Sequence, residues 1–196
     1  MKVIGIAGEP GCGKSAVART LAKQEGIVWI DLDRLAWDTY RSGSRTYEEL
    51  ISRFGRGILT SGEIDRSKLG KLVFSNAEGL ADLNGIVHPA LSERLRSITE
   101  EQQALGTKIL LVEGALLGVS RHVDYSLFDA IIWLSASRNT RAKRLLRDER
   151  VQHLQREFIP SDVADVTMID AEGSIEETAE RVLATIHSLP DGERST

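Results

Sequence analysis

The 196-residue chain has little of several features that mark specialised classes of protein. It contains a single cysteine, Cys12, which excludes a disulfide within the chain and favours a reducing compartment, the cytoplasm. Aromatic residues make up only 5% and are not interleaved with basic residues, so the sequence indicates no stacking platform for nucleic-acid bases. It also lacks an apolar run near the roughly 18 residues that a membrane span requires.

Neither sign of charge dominates the sequence. Its 25 basic and 29 acidic side chains leave a net charge of −4, which argues against unspecific nucleic-acid binding over the whole surface. Hydrophobic residues account for 41% and charged residues for 28%, as in ordinary globular proteins. A chain of this length can bury a core without disulfides or metals. We therefore expect one globular domain that acts as a monomer, without membrane or nucleic-acid partners.

Short apolar runs predict the strands of a parallel α/β sheet. Residues 3–7 form such a run that ends in glycines, residues 14–25 have helical periodicity, and residues 27–30 form a second run. The chain therefore opens with strand, glycine loop, helix and strand. Later segments predict three more strands and two helices: strands at 109–112, 130–134 and 166–169, a basic helix at about 138–150 and a last helix at 175–186.

The stretch from about 34 to 106 is predicted to be almost entirely helical. Pro89 is better tolerated as the first residue of a helix than inside one, so we predict a helix junction there. The simplest assembly is a sheet core of residues 1–33 and 107–190 with residues 34–106 inserted as a helical subdomain over the carboxyl edge of the strands. Ligands of such sheets bind beyond that edge.

Residues 8–15 read GEPGCGKS and match the pattern G-x-x-x-x-G-K-[ST] completely. Glycines let main-chain N–H groups converge on a phosphate, and the start of the following helix adds further donors. Lys14 is expected to reach the β- and γ-phosphates of ATP, and the Ser15 hydroxyl to bind Mg²⁺. The pattern could arise by chance, but it lies between a predicted strand and a predicted helix. The residues expected to bind the nucleotide are Gly8, Gly11, Cys12, Gly13, Lys14, Ser15 and Ala16.

Acidic residues follow two of the predicted strands. Asp31 and Asp33 flank Leu32, and both point to one side if the extended geometry continues past the strand. A carboxylate there can orient an incoming hydroxyl and accept its proton, so Asp33 is the predicted base. Asp31 either contributes to the substrate site or caps the next helix. Glu113 ends the strand at 109–112, where it either holds a Mg²⁺-bound water or caps a loop or helix.

Arginine recurs at every third position of the basic helix. Residues 138–150 hold six basic and two acidic side chains in an otherwise acidic chain. A solvated helix face is the ordinary explanation of such a run, but the local reversal of charge favours phosphate contacts. Arginine can bind phosphate oxygens bidentately. We expect at least one arginine of this helix to contact ATP.

The order of these motifs resembles the dephospho-CoA kinase family over nearly the whole chain. The resemblance rests on residues 6–15 (IAGEPGCGKS), 30–36 (IDLDRLA), 54–55 (FG), 62–66 (GEIDR) and 83–89 (LNGIVHP). It implies a P-loop NTPase core with a helical acceptor-binding insertion and a short lid at about 138–162. It also implies transfer of the ATP γ-phosphate to the ribose 3′-hydroxyl of dephospho-CoA, with Mg²⁺.

The resemblance also assigns individual residues. By position, Asp33 matches the base of the family, while Arg66, His88 and Pro89 fall in the region that binds the acceptor. The basic stretch after Leu134 matches the lid of the family, which implies phosphate contacts from Arg138, Arg141 or Arg144, and we assign Arg141 a catalytic role. We count Asp31 and Glu113 with the substrate site.

Some positions depart from the family pattern. Ala16 replaces the usual threonine, Glu113 precedes its leucine pair without a proline, and residues 170–173 lack the usual asparagine. Two alternatives therefore stay open. One is a kinase of another small metabolite or nucleoside monophosphate. The other is a regulatory protein that binds ATP without transferring phosphate.

Overall fold

The computed structural model describes residues 1–74, 77–115, 117–150, 153–154, 160 and 165–190. The chain divides into two compact units. The first comprises Met1–Leu32 with Thr99–Thr196, and the second comprises Asp33–Ile98.

The described residues form strands and helices in the following order along the chain. The strands are β1 (Lys2–Gly8), β2 (Ile27–Asp31), β3 (Leu59–Thr60), β4 (Glu63–Ile64), β5 (Ile109–Glu113), β6 (Ala130–Ser135) and β7 (Val166–Asp170). The helices are α1 (Lys14–Leu21), α2 (Leu32–Thr39), α3 (Arg45–Phe54), α4 (Arg66–Phe74), α5 (Ala77–Ala104), α6 (Arg138–Arg147) and α7 (Ile175–Ser188). Among them, no helix combines the length and apolarity needed to cross a bilayer.

A parallel sheet in the order β2-β5-β1-β6-β7 forms the centre of the first unit. Strand β1 lies in the middle, and every residue of it after Lys2 is buried. Apolar side chains of α1 and α7 pack with those of the sheet in one core cluster, which includes Ile4, Ile6, Val17, Val182 and Ile186. The predicted parallel α/β sheet and its five strands are confirmed.

Helix α1 is shorter than predicted. It starts after Gly13, whose φ of 101° lies in the left-handed region, and ends at Leu21 instead of Glu25. The N–H groups of Lys23 and Gln24 donate to carbonyls three residues earlier, which is the tighter bonding of a turn. The chain is then directed into β2.

The second unit packs its helices around a separate core of Leu50, Ile58, Leu69, Val73 and Val87. The hydroxyl of Ser44 caps α3 by accepting from the N–H of Tyr47, and the helix ends at Gly55, which has a φ of 76°.

A two-stranded hairpin of β3 and β4 interrupts the stretch predicted as almost entirely helical. Its turn residues Ser61 and Gly62 have φ values of 52° and 86°. Positive φ at both turn positions suits the right-handed twist of a hairpin. Strands of two residues are too short for a period-two pattern, so the sequence did not reveal the hairpin.

The helix junction predicted at Pro89 is wrong, because α5 continues through this residue. A proline inside a helix removes one N–H donor and crowds the carbonyl four residues earlier, here that of Gly85. Buried side chains on both sides of the proline, Val87 and Leu91, keep the helix continuous. Packing has outweighed the local preference.

Removal of a large side chain from the sheet core should measurably lower stability. Leu111 on β5 is fully buried, and we expect Leu111→Ala to lower the free energy of unfolding by about 2–5 kcal/mol, because the cavity cannot fully collapse. Urea unfolding followed by circular dichroism measures this change. In Leu105→Ala, where the leucine is 73% exposed, the change should stay within about 0.5 kcal/mol. Equal losses in the two variants would contradict the assignment of the core.

Candidate active site

The phosphate loop, residues 8–15, joins the carboxyl end of the central strand β1 to helix α1. Gly8 has a φ of 136° and Gly11 a φ of 84°, which L-residues with a side chain rarely adopt. A Cβ at Gly8 would collide with the main-chain oxygen of Leu134 on β6, and one at Gly11 would lie 2.7 Å from that of Arg141 on α6. The loop thus needs glycine at both positions for its own conformation and for its neighbours.

The Lys14 ammonium lies against the main chain of the loop itself. Its Nζ donates to the carbonyl oxygens of Gly8 at 2.8 Å and of Glu9 at 3.2 Å. The Cys12 sulfur, fully buried, lies 4.0 Å from the same Nζ. A cation is therefore fixed within the phosphate loop, at the N-terminal end of α1, an arrangement that suits a polyanion.

The Ser15 hydroxyl donates to Oε1 of Glu113 at 2.7 Å. Glu113 is buried at the end of β5 and stands in register with Asp31 at the end of β2. A hydroxyl and two carboxylates supply the hard oxygen ligands that Mg²⁺ prefers. The described residues contain no group of three His, Cys, Asp or Glu side chains able to hold a metal. A site here would be completed by phosphate and water oxygens, as is usual for Mg²⁺.

The three arginines predicted to contact ATP lie on α6 in different environments. Arg138 is exposed. Arg141 is buried, and its Nη2 lies 3.0 Å from Oε1 of Glu9 in the phosphate loop. Helix α6 ends at Arg147, three residues before the predicted limit. The remainder of the predicted lid, residues 151–152, 155–159 and 161–162, lies outside the described residues.

Arg144 connects the phosphate loop to the segment that follows β7. Its Nη1 donates to the carbonyl oxygen of Cys12 at 3.1 Å. Its Nη2 donates to those of Ala171 at 2.9 Å and Gly173 at 3.0 Å. Both terminal nitrogens of Arg144 thus bind main-chain oxygens, so the side chain stabilises the loop.

Glu172 fixes the start of α6, a role that sequence reasoning missed. Its carboxylate accepts from the main-chain N–H of Ser137 at 2.5 Å and from the Thr140 hydroxyl at 2.6 Å. Glu172 lies in the segment where the family asparagine is lacking. The partners are more than 30 residues away in the chain, so no local pattern could reveal the contact.

Asp31 and Asp33 lie in different elements. Asp31 is the last residue of β2, and Asp33 lies in the first turn of α2, which starts at Leu32. The extended geometry therefore does not continue, and the alternation of a strand does not relate the two side chains. Their individual roles stay predictions.

Three of the residues assigned to the acceptor, Arg66, His88 and Pro89, lie in the second unit, whereas Asp31 and Glu113 lie in the first. Arg66, at the start of α4, stacks its guanidinium on the ring of Trp37 and lies close to Tyr40. Burial raises the pKa of Tyr40, and Arg66 partly opposes that shift. His88 and Pro89 lie in the middle of α5, and His88 is buried. Trp37 and Tyr40 belong to none of the motifs that the sequence showed.

Comparisons with known proteins agree with this geometry. The family model described as dephospho-CoA kinase matches residues 2–167. A dephospho-CoA kinase of Carboxydothermus hydrogenoformans is 35% identical, and the match covers 95% of this chain and 93% of that protein. A dephospho-CoA kinase of Aquifex aeolicus is 36% identical, and the match covers 96% of this chain and 98% of that protein. The structure of dephospho-CoA kinase from Campylobacter jejuni, 21% identical, covers 95% of this chain and 98% of its own with a TM-score of 0.60.

The chain belongs to the dephospho-CoA kinase family. It is an ATP-dependent kinase that phosphorylates the 3′-hydroxyl of dephospho-CoA, so the predicted family and activity are confirmed. The predicted P-loop kinase fold is confirmed by the likeness to the solved structure. The departures at Ala16, Glu113 and residues 170–173 therefore occur within the dephospho-CoA kinase family.

The contact that fixes α6 should depend on pH. Hydrogen bonds lower the pKa of Glu172 from 4.5 to about 2, and the bond from Thr140 contributes more than either bond from Ser137. A carboxylate whose pKa is lower in the folded than in the unfolded state stabilises the fold fully at pH values above its unfolded pKa. This stabilisation is lost as the pH falls towards the folded pKa. We expect Glu172→Gln to lower the Tm at pH 7, and the difference from wild type to shrink between pH 4.5 and 2.

Thermal unfolding at several pH values, followed by circular dichroism, measures this difference. Glu176→Gln is the matched control, since Glu176 is exposed on α7 and should leave the Tm near that of wild type. A Tm difference in Glu172→Gln that stays constant from pH 7 to 2 would count against the role of the carboxylate.

Proposed function

We propose that the first unit binds ATP through the phosphate loop and that Asp33 is the base that accepts the proton of the ribose 3′-hydroxyl. The observation that carries the proposal is the complete phosphate loop, whose Ser15 hydroxyl is bonded to Glu113 at the carboxyl edge of the sheet. This arrangement brings nucleotide-binding main chain and oxygen ligands together at one end of the central strand.

In the proposed complex, the loop amides and Lys14 bind the phosphate tail. Lys14 would exchange the carbonyl oxygens of Gly8 and Glu9 for β- and γ-phosphate oxygens, which are stronger, charged acceptors. Phosphoryl transfer depends mainly on positioning and on neutralising charge, and fixed donors act without reorganising. The phosphate loop supplies both the positioned donors and the positive charge.

The donor set of Ser15, Glu113 and Asp31 fits Mg²⁺, and we propose that these residues hold it together with phosphate and water oxygens. When bound, Mg²⁺ neutralises phosphate charge and orients the transferred group. The bond between Ser15 and Glu113 orients the hydroxyl before the cation is present.

Asp33 completes the proposed chemistry by acting on the acceptor. A carboxylate within hydrogen-bond reach orients the 3′-hydroxyl and accepts its proton as the bond to phosphorus forms. The support for Asp33 is its place in the family motif IDLDRLA and in the first turn of α2.

Arg66 is the proposed anchor for the acceptor in the second unit. Dephospho-CoA carries a diphosphate, and a guanidinium can bind such oxygens bidentately. The contact with the Trp37 ring holds the guanidinium in one orientation, which reduces the entropy lost on binding. His88 and Pro89, from the same family block, are proposed to belong to this region.

We extend the proposal to the setting of the enzyme, which we expect to act in the cytoplasm as a monomer without nucleic acid. The free, buried thiol of Cys12 within the phosphate loop supports a reducing compartment. The net charge of −4 supports a small-molecule acceptor over a polyanionic partner.

Replacement of the proposed base separates transfer from nucleotide binding. We expect Asp33→Asn to lower kcat at least about tenfold, since a positioned base typically contributes 10²–10⁴-fold, and to leave the Kd of MgATP unchanged. Conversion of dephospho-CoA to CoA, followed by mass spectrometry, gives kcat, and calorimetry gives Kd.

Asp82→Asn makes the same chemical change in an exposed ion pair with Arg53 and should retain wild-type turnover. Wild-type turnover in Asp33→Asn would remove Asp33 from the proposed role.

The proposed cation site predicts a changed requirement for Mg²⁺. Glu113→Gln keeps an acceptor for the Ser15 hydroxyl but loses the negative charge. We expect the Mg²⁺ concentration for half-maximal activity to rise about tenfold or more, the usual effect of removing a partner of a metal site. Activity measured over a Mg²⁺ series at fixed ATP tests this, with Glu176→Gln as control. A lower kcat at an unchanged Mg²⁺ requirement would contradict it.

A further inference from the structure

Glu9 occupies a position of the phosphate loop that the G-x-x-x-x-G-K-[ST] pattern leaves variable. Its carboxylate pairs with the Arg141 guanidinium at 3.0 Å, and the two side chains are only 19% and 6% exposed. A pair so far removed from water is screened little, so each partner strongly constrains the other.

The pair leaves most of the guanidinium unused. Glu9 binds Nη2, whereas Nε and Nη1 of Arg141 are buried without a hydrogen-bond partner among the described residues. A guanidinium has five N–H donors and no means of losing its charge. Buried donors without acceptors are unfavourable, so this side chain requires further oxygen atoms.

The main chain of Arg141 lies beside the place where such oxygen atoms would be bound. Its Cα would lie 3.1 Å from a Cβ built on Gly11, in the middle of the phosphate loop. The polyphosphate tail of a nucleotide held by the loop amides carries several charged acceptors. Glu9 leaves Nε and Nη1 free to meet them.

We propose that Glu9 is a positioning residue that holds Arg141 in the orientation required to bind the nucleotide phosphates. The inference rests on the proposed function in taking ATP as the anion. The change in MgATP affinity that this inference predicts is opposite in sign to the change that charge repulsion alone would cause. Removal of an acidic side chain beside a polyanion should tighten binding, whereas loss of a positioning residue weakens it.

The test is a double-mutant cycle of Glu9→Ala and Arg141→Ala, with the Kd of MgATP measured by calorimetry without acceptor. We expect Arg141→Ala to weaken binding about tenfold or more, the worth of a hydrogen bond to a charged group. Glu9→Ala should weaken it about three- to tenfold in the wild-type background and not at all in the Arg141→Ala background.

Turnover gives a second readout. We expect kcat to fall about tenfold in Glu9→Ala and less than about twofold when Arg141 is already alanine, because misplacement of a group that contacts the reacting phosphate is costly. Glu9→Gln, which keeps an acceptor for Nη2, should recover most of the loss. Glu180→Ala removes an equal charge from an exposed position on α7 and should match wild type.

Two outcomes would overturn the inference. Equal weakening by Glu9→Ala in both backgrounds would mean that Glu9 only stabilises the loop. Tighter MgATP binding with unchanged kcat would mean that Glu9 competes with phosphate for Arg141. The calorimetric cycle needs no acceptor, so these results are separable from failure of the enzyme to produce CoA.

Discussion

The main-chain contact between the phosphate loop and helix α6 is the constraint on which the arrangement of the first unit depends. The space beside Gly11 is too small for a Cβ, because the Arg141 backbone occupies it. The helix is fixed at this distance by buried Leu145 and by the carboxylate of Glu172 at its first turn. Two arginines of α6, Arg141 and Arg144, therefore contact the loop.

Positive charge is concentrated around the loop, and most of it is already bound by oxygen. Lys14 and Arg144 donate to carbonyl groups of the loop, and Arg141 pairs with Glu9. In the proposed complex only Lys14 exchanges its acceptors for phosphate oxygens, while Arg141 and Arg144 keep theirs, so little reorganisation is needed. The same contacts limit the self-repulsion of three cations within one small region.

The sequence predicted those parts of the structure that short-range patterns determine. The phosphate loop is one continuous motif, and the five strands are compact apolar runs, so both were found. The helix junction at Pro89 was predicted wrongly because packing outweighed the local preference of proline. The hairpin at residues 59–64 was missed because strands of two residues carry no recognisable pattern. The contacts of Glu172, Arg144 and Trp37 join residues distant in the chain, and no motif marks them.

The contacts of Arg144 also limit the order in which the parts of this region can come together during synthesis of the chain. The carbonyl of Cys12 lies 132 residues before the arginine that binds it, and that arginine is held in turn by the carbonyl of Ala171, 27 residues later. A nascent chain leaving the ribosome exposes the glycine turn first and the residues that brace it last. The bracing contact from Ala171 to Arg144, and through it to the carbonyl of Cys12, can therefore form only after Ala171 itself has left the ribosome.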